Sequence, residues 1–447
     1  MKITPLEEWI RRKIGHTHGP LTRQAIQGYQ LHKLIETVSR AQEASPFYRR
    51  LLGHIKTDRL SDISDIACLP FTTTDDLREN PQSFLCVHPD RIARVVTLPT
   101  SGTAGKPKRV FFTEKDQELT IDFFHHGMEA VVALGEKVLI LMTGDRPGSI
   151  GDLLKKGLDR LGVQGILHGP VENAGRAVER AVEEDVQCIV GIPVQVYAMV
   201  QYQQAHEISL TLRSVLLSTD RIPPVIAHHL KQVWQCNVFN HYGMTEMGLG
   251  GGVECEALAG YHIREADLLI EIVDPETGES LRDGESGEIV FTTLTREGMP
   301  LIRYRTGDIS RFIPAPCPCG TVLKRLEPVF ERMSGKITLY SGDILTIGDL
   351  DDALFPLCGI LDFTAAVSYE KGKDRLYVTC RMAGPCEDSG GSMRIIEALR
   401  TIPAVGAAED SGNLKVCADI IHCDAPWPHS RGTAKRTIDK MRMNGSF

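Results

Sequence analysis

The chain has 447 residues, more than a single hydrophobic core usually holds, so two or more domains are expected. Hydrophobic residues make up 42% of the sequence and charged residues 24%, which is an ordinary globular composition. The formal net charge of −8 argues against nucleic acid or an acidic membrane surface as the main partner.

The sequence carries no sign of export or of a membrane span. No apolar run is long enough to cross a bilayer, and no apolar core follows Lys2 as it would in a signal peptide. The twelve cysteines are too sparse for a disulfide scaffold and are interpreted as mostly reduced thiols. We therefore expect a cytoplasmic protein.

The first predicted elements are helices. Apolar residues recur three and four positions apart over residues 7–52, which predicts a helical region that ends near Pro46. Residues 69–77 predict a turn that leads into a short helix capped by a threonine. Two extended runs follow, at residues 94–98 and 109–113, and they predict two strands joined by a loop.

This loop has the composition of a phosphate-binding loop. Its glycines let a ligand approach the backbone and can turn successive N–H groups toward an anion, while hydroxyl groups and two lysines add donors and positive charge. It is not the P-loop of nucleotide triphosphatases, because Pro107 stands where that motif needs Ser or Thr. A flexible turn between strands is the alternative interpretation. The residues expected to bind phosphate are Thr100, Ser101, Gly102, Thr103, Gly105, Lys106 and Lys108.

Helical and strand patterns alternate after the loop. Residues 114–134 and 151–161 predict helices, and residues 137–142, 187–191 and 212–218 predict buried strands. Apolar strands that alternate with helices are typical of a parallel sheet with helices on its faces. Ligands of such sheets bind beyond the carboxyl ends of the strands.

The pattern changes twice more toward the C-terminus. Residues 261–312 predict short strands and tight turns, which favours an antiparallel barrel or small sheet. The last 110 or so residues are too many for a tail and predict a small α+β domain. Its predicted elements are helices at 349–355 and 392–399, a strand at 375–380 and a loop at 384–392.

Two further stretches carry residues suited to a nucleotide. A predicted strand ends at Gly243, which places the hydroxyl of Thr245 and the carboxylate of Glu246 at the edge of a sheet, where a single glutamate can hold Mg²⁺ against phosphate oxygens. Asp308 follows the tight turn at Gly307, and one carboxylate can accept hydrogen bonds from the two vicinal hydroxyls of a ribose. The alternatives are a solvated glutamate and an aspartate in an ordinary turn.

These three stretches, in this order, resemble the motifs of the adenylate-forming (AMP-binding) enzymes. The sequences at 69–77, 284–292 and 303–305 resemble the phenylacetate–CoA ligase branch in particular, and the resemblance spans about residues 40–440. It implies a mixed α/β fold, with a large N-terminal domain of parallel sheets flanked by helices and a small mobile α+β C-terminal domain. The implied domains are 1–334, with a barrel-like subdomain at about 260–330, and 335–447.

The resemblance also implies the activity. ATP and an aryl or related carboxylic acid form an acyl adenylate and pyrophosphate, and coenzyme A then takes the acyl group and releases AMP. The implied cofactors are ATP, Mg²⁺ and coenzyme A, the partners are small molecules, and a homodimer is common in this branch. The implied catalytic residues are Lys106, Thr245, Glu246 and Lys435. Nucleotide binding is assigned to the phosphate loop together with Asn240, His241, Tyr242, Gly243, Arg305 and Asp308.

Two departures from the family pattern leave other functions open. Relatives place the adenylation lysine directly after the glycine at 432, where this chain has Thr433, and Lys435 lies two residues further on. The domain joint at Gly335 lacks the arginine and the acids of relatives. An enzyme that transfers the acyl group to another acceptor, and a nucleotide-binding homologue without catalysis, are therefore the alternatives. The retained lysines and acids argue against the second.

A metal site is a further hypothesis. Cys317 and Cys319 form a Cys-x-Cys pair, and Cys255 and His262 would lie near them if the chain folds back as it does in the family. Three thiolates and an imidazole form a closed tetrahedral site typical of structural zinc. The alternative is a set of buried reduced thiols. The two His-His pairs, at 125–126 and 228–229, have no evident partner ligands and are assigned to helices or the surface.

Overall fold

A computed structural model describes residues 1–98, 106–370, 372–383, 391–422 and 436–441. The helices are α1 (Pro5–Lys13), α2 (Arg23–Ala44), α3 (Pro46–Leu52), α4 (Thr74–Glu79), α5 (Glu114–Met128), α6 (Ile150–Arg160), α7 (Ala174–Glu183), α8 (Pro193–Ala205), α9 (Pro224–Trp234), α10 (Ile347–Leu354), α11 (Gly391–Arg400) and α12 (Pro403–Asp410).

The strands of the first half of the chain are short. They are β1 (Ile92–Leu98), β2 (Lys108–Thr113), β3 (Lys137–Ile140), β4 (Gln164–Leu167), β5 (Cys188–Gly191), β6 (Ser214–Leu217), β7 (Asn237–Tyr242), β8 (Gly252–Val253), β9 (Tyr261–Ile263) and β10 (Leu268–Val273). The later strands are β11 (Gly287–Thr293), β12 (Tyr304–Ser310), β13 (Arg325–Leu326), β14 (Glu331–Arg332), β15 (Ile337–Thr338), β16 (Ile344–Leu345), β17 (Ile360–Glu370), β18 (Lys373–Met382), β19 (Leu414–His422) and β20 (Ile438–Met441).

Local signals in the sequence place the N-terminal helices. Ser45 Oγ accepts a hydrogen bond from Tyr48 N at 3.3 Å at the start of α3, and Pro46 occupies the first helical position. The helical pattern of residues 7–52 is divided into three helices. The first break follows Lys13, where Gly15 stands just after the C-cap with a left-handed φ of 71° and ends the helix.

The described residues form two compact units. The first comprises residues 1–136, 144–165 and 239–329, and the second comprises 137–143, 166–238 and 330–447. The domain boundary expected at 334–335 stays a prediction. No helix within the described ranges combines the length and the apolar character that a bilayer span requires.

The first unit contains the strands that border the phosphate loop. Strands β1 and β2 pair antiparallel, with Leu98 opposite Lys108, so the two ends of the loop lie side by side, as predicted. A capping box formed by Thr113 and Asp116 then starts α5 directly after β2. Strands β10, β11 and β12 form an antiparallel sheet, which confirms the predicted small sheet, while closure into a barrel stays a prediction.

Aromatic side chains hold the first unit together. Tyr48, Phe291 and Tyr304 are fully buried in one core cluster, and burial of each such side chain contributes about 2 kcal/mol. The Tyr48 hydroxyl accepts a hydrogen bond from Ile302 N at 2.9 Å. Helix α3 is therefore joined to the residues that precede β12, although about 250 residues separate them in the sequence.

The second unit contains the parallel strands. Leu139 of β3 lies opposite Ile189 of β5, and Val190 lies opposite Leu216 of β6. Helix α8 connects β5 to β6 and contacts β5, as expected for strands that alternate with helices. The prediction of a mixed α/β fold with parallel strands flanked by helices is confirmed.

The C-terminal part of the second unit forms a separate four-stranded sheet. Its strand order is β19-β18-β17-β20, with β17 and β18 antiparallel and the two outer strands parallel to their neighbours. Helix α11 contacts β19. The predicted helices at 349–355 and 392–399 and the strand at 375–380 are confirmed as α10, α11 and β18, whereas β17 and β19 were not predicted.

Candidate active site

A lysine from the exit of the phosphate loop lies against the acid predicted to hold Mg²⁺. Lys108 begins β2, and Glu246 lies in a 3₁₀ turn, Thr245–Met247, that follows β7. The Lys108 ammonium and the Glu246 carboxylate form an ion pair, and their side chains are 15% and 3% exposed. Because a cation already contacts this buried carboxylate, the position accommodates positive charge. The two sequence motifs therefore meet at one site.

Two further hydroxyl groups complete this cluster. Tyr304 OH accepts from Lys108 Nζ at 3.4 Å and donates to Glu246 Oε1 at 3.4 Å, and it lies 2.8 Å from Thr74 Oγ1. Burial, and next the Glu246 carboxylate, raise the pKa of Tyr304 well above its usual value, so the hydroxyl stays protonated and can donate. The sequence analysis missed Tyr304 and Thr74 as site residues, although Tyr304 lies between the two arginines of the third motif.

The aspartate predicted to bind ribose is buried beside β7, the strand predicted to bind adenine. Asp308 Oδ2 accepts a hydrogen bond from Tyr242 OH at 3.1 Å, which joins the second and third motifs. Gly307 precedes it at φ 73°, a conformation that favours glycine. Arg305 forms an ion pair with Glu288 of β11, which joins β12 to β11, and its contact with nucleotide stays a prediction.

The predicted adenine-binding residues lie on β7 and just beyond it. Asn240 is fixed through its backbone, whose N–H donates to Glu254 Oε2 at 2.9 Å. Gly243 cannot carry a side chain, because a Cβ there would overlap the carbonyl oxygen of Leu249. His241 is buried, and its burial, with a smaller effect of Arg264, lowers its pKa to about 4. The imidazole is therefore neutral at physiological pH.

Aromatic rings of α5 lie against this strand. The rings of Phe123 and Phe124 each have their centroids 6.1 Å from that of His241. Gly250 packs directly under Phe123, and a Cβ at this position would overlap the ring. The first unit therefore presents two phenylalanines and a neutral histidine next to the predicted adenine strand.

Several predicted site residues are not part of this cluster. Lys106 is exposed, and Thr245 is half-buried at the start of the turn that carries Glu246. The remaining predicted residues lie outside the described ranges; these are Thr100, Ser101, Gly102, Thr103, Gly105 and Lys435, together with Thr433 and most of the loop at 384–392.

The predicted metal ligands lie together in the first unit. The sulfur atoms of Cys255 and Cys317 are 3.7 Å apart, and Cys319 Sγ lies 3.7 Å from His262 Nε2. All four ligand atoms lie within 4.8 Å of one another, and all four residues are buried. The sulfur separation is far longer than a disulfide bond, which is about 2.05 Å. It matches the edge of a zinc–thiolate tetrahedron, about 3.8 Å for bonds of about 2.3 Å.

The protonation of this cluster also suits a metal. Burial lowers the pKa of His262 to about 4, which keeps the imidazole neutral and able to coordinate. Burial likewise raises the pKa of Cys255 to about 12, so the thiol needs a cation to become a thiolate. A bound metal ion supplies that charge.

The two His-His pairs lie on helices, as assigned from the sequence. His125 and His126 are on α5, where Asp122 places a third ligand atom within 4.8 Å of theirs. Asp122 Oδ2 already accepts from Trp9 Nε1 at 2.8 Å. The other pair, at 228–229, lies on α9.

The second unit contains a buried ion-pair network at the end of β6. Thr219 has φ 81°, which is strained for a β-branched residue, and the next residue, Asp220, contacts Arg436. Arg436 Nε lies 3.1 Å from Asp220 Oδ2, and its two terminal nitrogens contact Asp351. Arg221 Nη1 lies 3.2 Å from the same Asp351. Arg436, the residue after Lys435, is thus bound to the turn that follows β6.

Comparison with known proteins decides the family. The sequence model described as AMP-binding enzyme matches residues 160–294. The phenylacetate–coenzyme A ligase of Thermus thermophilus is 31% identical over 320 residues, which cover 70% of this chain and 71% of that protein. The enzyme of the same name from Pseudomonas putida is 30% identical over 332 residues, or 72% of each chain. The chain belongs to the phenylacetate–CoA ligase family.

Solved structures agree with this phenylacetate–CoA ligase fold. A 2-hydroxyisobutyryl-CoA ligase, solved in its postadenylation state, superposes with a TM-score of 0.75 over 93% of this chain and 89% of its own, at 20% identity. The expected activity class is confirmed with the family. This phenylacetate–CoA ligase family member is an AMP-forming acyl-CoA ligase, which joins a carboxylic acid to coenzyme A through an acyl adenylate.

Proposed function

We propose that this ligase activates an aryl or related carboxylic acid in the first unit, with the Lys108–Glu246 pair at the phosphates. The proposal rests on this buried ion pair. It joins Lys108, which follows the phosphate loop, to Glu246, the glutamate proposed to hold Mg²⁺. The aryl substrate class rests on the names of the relatives and on the aromatic rings of Phe123 and Phe124 beside His241.

Each residue of the cluster has a role in the first half-reaction. The acid carboxylate attacks the α-phosphorus of ATP, the bond to pyrophosphate breaks, and an acyl adenylate forms. Lys108 and the Tyr304 hydroxyl donate to phosphate oxygens as charge develops on them. Asp308, held by Tyr242, binds the ribose hydroxyls. The chemistry needs no protein nucleophile, so catalysis consists of positioning and charge stabilisation.

Glu246 is the residue that would hold Mg²⁺, and Thr245 would contact the α-phosphate. The carboxylate donors of Glu246 are hard oxygen atoms, and their contact with the Lys108 ammonium supports a cation at this position. Mg²⁺, when bound, offsets negative charge on the phosphate oxygens. In the second half-reaction the coenzyme A thiol attacks the acyl carbon and AMP leaves.

Lys435 is proposed to take the part of the lysine that relatives carry at the position of Thr433. In an extended segment both side chains point to the same face, so the ammonium can reach the same region. Replacing Lys435 by Ala is expected to slow adenylation, and Thr433→Lys is expected to restore it in that background. A Lys435→Ala variant with full activity would contradict this role.

The experiment that tests the function is pyrophosphate release from ATP across aryl, aliphatic and amino acids, with and without coenzyme A. An aryl acid that triggers release, with a steep rise on adding coenzyme A, is the expected result. Release that responds only to aliphatic or amino acids contradicts the substrate class. Release indifferent to coenzyme A favours another acceptor, and no release with ATP still bound favours a non-catalytic homologue.

We also propose a structural zinc ion at Cys255, His262, Cys317 and Cys319. The mutual distances of these buried donors support it, since 3.7 Å separations fit a tetrahedral ion. Four protein ligands leave no open position, so the ion is structural and not catalytic.

Elemental analysis should find about one zinc per chain. Cys317→Ser should remove it, whereas Cys68→Ser, at an exposed cysteine outside the cluster, should not. Purified wild type without zinc contradicts the site.

Two remaining expectations belong to this proposal. None of the ten cysteines in the described residues forms a disulfide, which suits a reducing compartment such as the cytoplasm. The homodimer implied by the family resemblance is testable by sedimentation.

A further inference from the structure

The turn that carries Glu246 is held by three side chains from outside its motif. The main-chain carbonyls of residues 246–248 each accept a hydrogen bond from a side chain. Arg296 Nη1 donates to the first at 2.7 Å, Arg264 Nη2 donates to the second, and Thr120 Oγ1 donates to the third at 2.9 Å. The three donors come from three separate parts of the chain and add to the local main-chain hydrogen bonds of the turn.

Arg296 also holds the strand on the other side of the cluster. Its Nη2 donates to the carbonyl oxygen of Phe111 on β2 at 2.9 Å, and its guanidinium lies 4.4 Å from the ring centroid of Phe112. Lys108 lies on the same strand. One rigid, planar guanidinium is therefore bonded to the strand of Lys108 and to the turn of Glu246.

The surroundings of Arg296 are unusual for a group that serves only stability. The side chain is buried, with the residue 4% exposed, and within the described part of the chain its guanidinium hydrogen bonds run to main-chain carbonyls. Burial lowers the pKa of Arg296 to about 10, while the nearby Asp116 carboxylate acts in the opposite direction. The guanidinium therefore remains charged at neutral pH. A buried charge is often matched or exceeded in stability by an apolar side chain of similar size. We therefore attribute the presence of the arginine to the precise geometry that its hydrogen bonds impose, and not to added stability.

We propose that Arg296 is a positioning residue that fixes the separation between Lys108 and Glu246, and thereby the affinity of the site for Mg²⁺. The inference rests on the proposed role of Glu246. Residues that orient a metal ligand commonly change metal affinity 10–100-fold when they are replaced. Arg264 and Thr120 stabilise the same turn by donating hydrogen bonds to its other two main-chain carbonyls.

The test is a titration of the enzyme with Mn²⁺, a probe for Mg²⁺ whose free ion gives an EPR signal, run beside a Mg²⁺ titration of pyrophosphate release at a fixed, low ATP concentration and saturating acid. In Arg296→Met we expect the Kd for Mn²⁺ and the Mg²⁺ concentration at half-maximal rate both to rise about tenfold, with the KM for the acid little changed. Arg296→Lys keeps the charge and can donate to one or both carbonyls, so it should recover part of the loss. Arg311→Met is the matched control, because Arg311 forms an exposed ion pair with Glu327 away from the site.

Further variants keep the test decisive. Thr120→Val removes only the hydroxyl that donates to residue 248, so it should fold and shift the Mg²⁺ dependence in the same direction by a smaller factor. Folded Arg296→Met and Thr120→Val with wild-type Mg²⁺ titrations would overturn the inference. Glu246→Gln, measured in parallel, tests the underlying function. If it also leaves the Mg²⁺ dependence unchanged, the role of Glu246 fails, and if only it has an effect, the inference about Arg296 fails.

Discussion

Arg436 and Asp351 form a buried, two-pronged ion pair in the second unit. Arg436 Nη1 lies 2.5 Å from Asp351 Oδ1 and Nη2 lies 3.0 Å from Oδ2, with side chains 5% and 0% exposed. Asp220 contacts the same guanidinium from the turn after β6. Charges removed from water in this way depend on each other, so loss of one leaves the others uncompensated.

Replacing Asp351 by Asn should destabilise the protein by about 3 kcal/mol, because it leaves Arg436 buried with half of its charge partners. Asp352→Asn is the control, since Asp352 contacts Arg221 from a side chain that is 59% exposed and should cost less than about 1 kcal/mol. Denaturant unfolding measures both. Equal effects of the two substitutions would contradict a dependence on burial.

Lys108→Met should lower the rate of acid-dependent pyrophosphate release about 100-fold at limiting ATP, because a charge-assisted donor to the phosphates is lost. Lys115→Met serves as control, since Lys115 is exposed and lies 3.8 Å from Glu297. We expect it to behave as wild type. A Lys108→Met enzyme with normal kinetics would exclude Lys108 from phosphate binding.

The stability of the protein should depend on pH through His241. Its pKa is lowered from 6.5 to about 4 by burial, so below about pH 6.5 the unfolded chain binds a proton that the folded chain does not. Stability therefore falls as the pH drops from 6.5 to 4, by about 2 kcal/mol between pH 7 and pH 5. His241→Asn removes this term, so the loss of stability between pH 7 and pH 5 should be smaller in the variant. Identical losses would show that His241 does not titrate in this way.

Two Gly→Ala substitutions should have opposite effects. A Cβ at Gly243 would overlap the Leu249 carbonyl, so Gly243→Ala should destabilise the protein and disturb the end of β7. Gly28 lies on the exposed face of α2 with open space around it, so Gly28→Ala should stabilise by about 0.5–1 kcal/mol. Thermal unfolding of the two variants measures the difference. A neutral Gly243→Ala would mean that the Leu249 segment can move away.

The residues predicted from short motifs lie close to one another in the structure. Glu246 contacts Lys108, and Asp308 contacts Tyr242, while their roles toward nucleotide and Mg²⁺ stay predictions. The meeting of Cys255 and His262 with the Cys-x-Cys pair was anticipated from the family resemblance. The nucleotide contact of Arg305 stays a prediction, whereas its ion-pair partner, Glu288, which lies 17 positions away on another strand, was not predicted.

The residues that the sequence did not reveal act over long separations. Arg296 bonds to carbonyls 50 and 185 positions away, and Thr120 bonds to one 128 positions away. No local sequence pattern marks a side chain that bonds to a distant main-chain carbonyl. Every residue has such a carbonyl, so the sequence does not single out the partner. Strand β17 was not predicted for a different reason. Most of its side chains are buried on both faces of the sheet, so its sequence lacks the alternation of apolar and polar residues that marks a surface strand.

The contact between Gly250 and Phe123 bears on how this ligase could change its substrate. Any larger residue at 250 meets the ring of Phe123, and a smaller residue at 123 alone leaves an empty space under the helix. Either substitution by itself is unfavourable, while the two together conserve volume. Related ligases with a different residue at one of these positions should carry a compensating residue at the other. We therefore expect new specificity at the proposed aryl pocket to arise through linked pairs of substitutions at these two positions, which a library that varies one position at a time would not find.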